Sequence, residues 1–325
     1  MSCFAPAIIR NMKKMKNKLI HSVAVLATLY GFSAAPAQAH GIAGKRFFPA
    51  TIAVDDPFVS DEMSFVLGHR KLPAEDSDPQ STEGNPGIHS TAFSVDLSKR
   101  ITPDFGMSLS TSYKRVRASD EASARHGFDN LGLGFKYHVI KSAEHEGIVS
   151  LGVDVDLGGT GSDRVGAESF STISPTLFYG KGFGDLPDSV AYLRPLAITG
   201  IIAPALPTRR SEPNRLNWGF TVQYNLQYLQ SYVKDVGLGA QFNRMIPLVE
   251  VPVSTCLNKD CTGQTTGTAN PGFVWFGKYA QVAVEAVIPL NKRSGRDTGV
   301  LVQLHLFIDD LYPTSFGKPL LQSSR

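Results

Sequence analysis

One stretch constrains the chain more than any other: Leu216 to Gln230, LNWGFTVQYNLQYLQ. Leu216, Trp218, Phe220, Val222, Tyr224, Leu226 and Tyr228 take every even position, and Asn217, Gly219, Thr221, Gln223, Asn225 and Gln227 take the odd ones. Side chains on a strand alternate between two faces, so this pattern predicts a strand with one greasy and one wet face. A tilted membrane-crossing strand takes about 9–11 residues, whereas a soluble sandwich strand takes about 5–6. The stretch has the length of the former.

The same period recurs along the chain. Phe93, Val95 and Leu97 alternate with Ser94, Asp96 and Ser98. Leu131, Leu133, Phe135, Tyr137 and Val139 alternate with Gly132, Gly134, Lys136 and His138. Val149 to Leu157, Ala280 to Ile288 and Val300 to Ile308 repeat it. Alternation blurs in Val190–Ala203, where both faces are apolar, and in Val236–Val253, where Pro247 and Pro252 interrupt MIPLVEVPV. Pro cannot donate to a ladder, so the latter reads as an edge, a bulge or a loop wall. Eleven strands are legible, and bacterial barrels carry even numbers. A twelfth is expected at 48–54 or within 236–255, unless the weak first strand, Asp61–Gly68, is discarded.

The wet faces are rich in Gly, Ser, Asn and Gln with few charges, which suits a shared lumen rather than bulk water. The other faces are Leu, Val, Phe, Tyr and Trp, with Tyr113, Tyr137, Tyr179, Trp218 and Tyr228 toward strand ends, where aromatic girdles belong. Short connections (102–106, 141–146, 182–188, 291–298) alternate with long ones (69–87, 118–129, 158–166, 204–214, 256–272). The expected fold class is all-β: a transmembrane antiparallel up-and-down β-barrel of about twelve strands, within about ten to fourteen.

The ends specify the compartment. Lys13, Lys14, Lys16 and Lys18 precede an apolar run, Leu19–Phe32, and Ala37-Gln38-Ala39 is a small-x-small cleavage site. This reads as a Sec-type signal peptide over 1–39, with Met15 as a second candidate start. Residues 40–60 then form an irregular segment that would plug the barrel, 61–309 the barrel, and 310–325 a tail. With Arg10, the signal holds five of the 32 basic residues and none of the 29 acidic ones, so the remainder carries 27 basic against 29 acidic residues. The basic pI belongs to the signal, and nucleic acid loses its support as a partner. Cys256 and Cys261 in CLNKDC read as a small disulfide-closed loop in an oxidising compartment. Cleavage after Ala39 would leave His40 at the N-terminus, where an α-amine and an imidazole offer a copper ligand pair.

The C-terminal stretches GKYAQVAVEAVIPLN, NKRSGRDTG, VLVQLHLFIDD and LYPTSFGKPLL, over about Gly277 to Leu321, resemble the outer-membrane barrel family associated with meta-pathway phenol degradation. The HGIAGKRFFPAT start is similar to N-termini of related envelope proteins. The resemblance implies a transporter of small, hydrophobic or aromatic solutes in the outer membrane.

The expected working parts are lumen-facing polar residues: Asp96, Lys114, Lys136, His138, Asp154, Asp156, Gln223, Glu285 and His305. Both signs occur, so no strong ion preference is expected. A structural envelope barrel without transport fits the same pattern. An enzyme is not expected: there is no G-x-S-x-G and no H-E-x-x-H, and no cofactor is implied. The expected partners are outer-membrane lipid and a small solute.

Overall fold

The computed structural model describes residues 41–72, 87–119 and 121–321. The expected signal peptide and His40, with its copper reading, lie outside the described residues. A two-residue hairpin, β1 (Ile42–Ala43) and β2 (Arg46–Phe47), comes first. The barrel then begins with β3 (Glu62–Leu72), β4 (Ile88–Arg100) and β5 (Phe105–Ala118). After a short β6 (Arg125–Phe128) come β7 (Leu131–Ser142), β8 (Gly147–Leu157) and β9 (Thr172–Gly182). Next are β10 (Leu196–Pro207), β11 (Arg215–Tyr224), β12 (Met245–Cys256) and β13 (Thr265–Phe276). β14 (Ala280–Pro289) and β15 (Gly299–Phe307) complete it.

Each strand pairs antiparallel with its neighbour in the chain, and β15 returns to β3, from Val300↔His69 to Phe307↔Glu62. β6 pairs only with the end of β5 beyond the β5–β7 ladder, continuing the β7 column past Asp129 and Asn130. The barrel therefore has twelve strands and closes without an edge, as lipid demands. Its outer surface carries exposed Leu67, Phe93, Leu109, Phe135, Leu151, Phe273 and Leu304. An apolar belt this continuous is unfavourable in water and natural in a bilayer.

Three sequence expectations need correction. The twelfth strand is β13, TTGTANPGFVWF, within the stretch read as the polar loop 256–272; it lies neither at 48–54 nor in 236–255. Its first half, TTGTAN, has Ala269 as its one apolar residue and no apolar alternation, so period two fails there. The Leu216–Gln230 strand stops at Tyr224, because the Asn225 side chain accepts from the Tyr228 N–H and caps a helical turn, Leu226–Tyr228. Tyr228 is then buried rather than part of a girdle. Finally, β12 begins only at Met245 and is no edge. Pro252 pairs with Gly219 of β11, while the β12–β13 ladder lapses at Val251 and Pro252, which accommodates the missing N–H.

The connections sort by length only in part as expected. One end, the turn end, holds the links 101–104, 143–146, 183–195, 225–244 and 277–279, together with the start of β3 and the end of β15. The other, the loop end, holds the end of β3, the start of β4 and the links 121–130, 158–171, 208–214, 257–264 and 290–298. The short link around 291–298 thus belongs with the long loops, and the long 225–244 belongs with the turns. Cys256 and Cys261 form the expected disulfide at the loop end.

Residues 308–321 fold back across the turn end. The Leu321 N–H donates to the Ile101 carbonyl (2.7 Å), and the Leu320 N–H to that of Arg100 (3.2 Å). Lys99 Nζ donates to the carbonyls of Phe316 and Lys318, both at 2.7 Å. Asp61 accepts from Lys99 Nζ (2.7 Å) and from Arg100 Nε (2.8 Å), so the start of the barrel and the tail share one pair of cations.

Candidate functional site

Residues 41–61 run against the inward-facing side chains of the barrel. Alternation sets those faces: Ile246, Leu248 and Glu250 on β12, Gln281, Ala283 and Glu285 on β14, and Gln303 and His305 on β15 all point away from the apolar belt and are buried.

The contacts begin at the hairpin. Arg46 is fully buried; its Nε donates to Glu146 Oε2 (2.8 Å), its Nη1 to the Pro195 carbonyl (2.7 Å), and its Nη2 to the Arg194 carbonyl. Its guanidinium lies 4.3 Å from the centre of the Tyr228 ring. The approach depends on glycine. A Cβ on Gly44, where φ is +64°, would sit 2.1 Å from the Ala143 carbonyl oxygen, and one on Gly182 would sit 2.2 Å from both Arg46 Nε and Glu146 Oε2. Tyr228 is pushed up to about 12 by burial and by the neighbouring Glu146 carboxylate.

Two apolar clusters follow. Phe48 packs with Phe58, Ala43, Ile148 and Ala197, and Phe47 and Ile52 pack on Ile246, Leu248, Val274 and Ala283. Phe47 and Phe276 have ring centres 4.6 Å apart. Burying each Phe contributes about 1.5–3 kcal/mol. Near the turn end the lumen is therefore a hydrophobic core rather than a wet channel.

Polar side chains of one wall then hold the segment's backbone. Glu250 Oε1 accepts from the Ile52 N–H (2.8 Å), and Oε2 from the N–H groups of Ala53 (2.8 Å) and Val54 (2.6 Å). Gln281 exchanges two bonds with Ala50: its Oε1 accepts from the N–H (3.3 Å), and its Nε2 donates to the carbonyl (2.6 Å). That side chain imitates one step of a β-ladder. Gln281 Nε2 also donates to Gln303 Oε1 (2.9 Å), and Asn225 Nδ2 donates to the Phe47 carbonyl (3.1 Å).

The opposite wall makes fewer contacts and leaves space. Lys136 Nζ donates to Asp55 Oδ2 (3.0 Å) and to the Asp56 carbonyl (2.6 Å), above the Phe178 ring. His138 Nε2 accepts from the Val59 N–H (3.0 Å), which puts the ring proton on Nδ1, 3.5 Å from Asp104 Oδ1. Asp104, in the β4–β5 turn, is held below the usual carboxylate range, chiefly by its hydrogen bond from Lys141. Between this wall and the segment lies a cavity of about 160 Å³, lined by Asp55, Phe58, Asp96, Lys136, Asp154 and Asp156, among others. A second cavity, about 600 Å³, opens at the loop end and includes Lys114 in its lining.

Of the residues proposed from sequence, Asp96, Lys136, Asp154 and Asp156 come together in the small cavity, and His138 meets the segment beside them. Glu285 is buried next to Glu250 and Asn270. Lys114 stands apart, paired with Asp129. His305 is buried with Nε2 3.3 Å from Glu62 Oε2, and Gln223 is buried near the turn end of β11. Sequence reasoning did not single out Glu250, Gln281, Gln303, Asn225, Arg46 or Glu146. Glu250 carries a signal, being the one charge in the apolar run MIPLVEVPV. The charges also separate along the axis, with carboxylates beside the segment and cations at the loop end.

No family model matches the chain, and no curated protein matches it. Solved structures do. The COG4313 outer membrane channel from Pseudomonas putida F1 is 13% identical and aligns over 84% of this chain and 99% of its own, with a TM-score of 0.53. The KdgM porin (12% identical, TM-score 0.43) and the NanC porin (7% identical, TM-score 0.43) each align over 75% of this chain and 98% of their own. At such identities the likeness speaks to architecture alone, and the architecture it establishes, by the first of these, is that of an outer-membrane β-barrel.

Proposed function

We propose that this chain is an outer-membrane channel for small solutes, narrowed at its periplasmic end by its own N-terminal segment. The turn end, which carries both ends of the barrel, is assigned to the periplasm and the loop end to the outside, following the usual asymmetry of such barrels. The observation that carries the reading is the Glu250 carboxylate, buried in the lumen and accepting three successive N–H groups of the segment. A purely structural barrel could fill its interior with apolar side chains. Placing a carboxylate there and satisfying it with a separate piece of backbone builds a seat for that piece.

Residues 41–60 are accordingly the plug. Asp96, Lys136, Asp154 and Asp156 line the way past it, because the 160 Å³ cavity lies on that side. The resemblance of Gly277–Leu321 to the phenol-degradation barrels favours hydrophobic or aromatic solutes.

The test is planar-bilayer conductance of the refolded chain from residue 40, with heat-modifiability on a gel as the control for a folded barrel. Small, discrete steps are expected, together with solute flux in liposomes. A folded barrel that passes neither ions nor solute would leave the structural reading.

A further inference from the structure

The loop-end cavity has a lining that the channel reading does not use. It lies between the ends of β3, β4 and β5 and the turn Asp163–Gly166, and it encloses about 600 Å³. Ligand sites for small molecules span about 300–1,000 Å³. Its walls are apolar where Val66, Leu72, Val116, Val287 and Leu301 line it. Its charges are Arg70, Arg125, Arg164 and Lys114 against one carboxylate, Asp163.

These cations are not equally engaged. Lys114 is paired with Asp129, and Arg125 Nη2 lies 3.9 Å from Glu121 Oε2. Among the described residues neither Arg70 nor Arg164 has an ion-pair partner. Guanidinium groups on an apolar cavity suit a flat anion, because the planar fork matches a carboxylate with two parallel bonds. The apolar wall suits the body of the same molecule. A fully hydrated inorganic anion would gain nothing from Val66 and Leu301, and a neutral hydrocarbon would leave the guanidiniums unanswered.

We propose that the loop-end cavity is a binding site for small amphipathic carboxylates, an aromatic or short aliphatic body bearing one carboxylate, with Arg70 and Arg164 as the carboxylate contacts. This deepens the channel reading by naming the solute class, and it rests on that reading only for its purpose.

The test is isothermal titration of the full barrel in phosphatidylcholine nanodiscs with three probes of one shape: 4-methylbenzoate, 4-methylphenol and 4-methylbenzylammonium. Saturable 4-methylbenzoate binding is expected, about tenfold or more tighter than 4-methylphenol, with no binding of the ammonium. R70K/R164K should keep the order of preference. R70E/R164E should reverse it, so that the ammonium binds and the benzoate does not; a misfolded barrel cannot produce that result. Equal binding of the three probes, no saturable binding, or an unchanged preference in R70E/R164E would overturn the assignment. Conductance is read on the same preparation. Saturable benzoate binding by a barrel that passes no current upholds this site and counts against transport, whereas current without such binding overturns the site and leaves transport standing.

Discussion

The two walls of the lumen treat the N-terminal segment differently. The β11–β15 wall holds it through Asn225, Glu250, Gln281 and Gln303, with Ile246, Leu248, Val274 and Ala283 packed beneath Phe47 and Ile52. The β4–β8 wall bonds it through Lys136, Ser150 and His138, holds Asp61 with Lys99 and Arg100, and packs Ile148 against Phe48 and Phe58; between these contacts lies a cavity to which the wall contributes three carboxylates, Asp96, Asp154 and Asp156. The β11–β15 wall is the anchor of the segment, and the cavity lies on the other side. The proposed channel would take its solutes along the second wall, where the cavity lies.

Breaking the anchor should have the largest consequence. Glu250→Ala leaves three N–H groups without their acceptor, at about 1–3 kcal/mol each. Residues 50–54 should then leave the wall, seen as lost hydrogen-exchange protection at Ile52, Ala53 and Val54 with the barrel's own strands still protected. Arg46→Ala comes next. It strands the buried Glu146 carboxylate, a loss of about 3–5 kcal/mol for a buried pair. Its effect should stay at the hairpin and the turns 143–146 and 183–195, read as new proteolytic cleavage near residues 41–47. On the path wall, Lys136→Gln should leave the fold intact and alter selectivity. With the lysine gone, Asp96, Asp154 and Asp156 stand unopposed, so cation over anion permeability measured by reversal potential should rise by about two- to tenfold.

The smallest effect concerns the tail. Burial pushes Asp309 up to about 7, against the opposing pull of Arg100. A carboxyl whose folded value is raised contributes stability that is fully present below its ordinary value, near 4, and is lost as pH rises through about 7. Protection factors of the Leu320 and Leu321 amides, corrected for intrinsic exchange, should therefore fall between pH 5 and pH 8, and Asp309→Asn should flatten that dependence.

Much of the barrel was legible from period two alone, because lipid and lumen impose opposite chemistries on alternate residues. The legibility failed in an instructive place. Val190–Ala203 and Val236–Val253 blur where Ala197, Ile246 and Leu248 face inward against the segment, so both faces are apolar for two different reasons. Asp96, Lys136, His138, Asp154 and Asp156 could be picked out because each interrupts the small, neutral residues of its own face. Glu250 and Gln281 could not, since their role depends on backbone some 200 residues away along the chain. Arg46 gave no local signal either: its partners come from three separate turns that only barrel closure brings together.

The most direct test of the plug is the single-channel conductance of the barrel with and without residues 41–60, in the same lipid and salt. The shortened chain should still shift on heating and should pass current in steps several-fold larger than the full chain. Identical steps from the two, with both barrels folded, would contradict the account and leave the segment a structural filling rather than a closure.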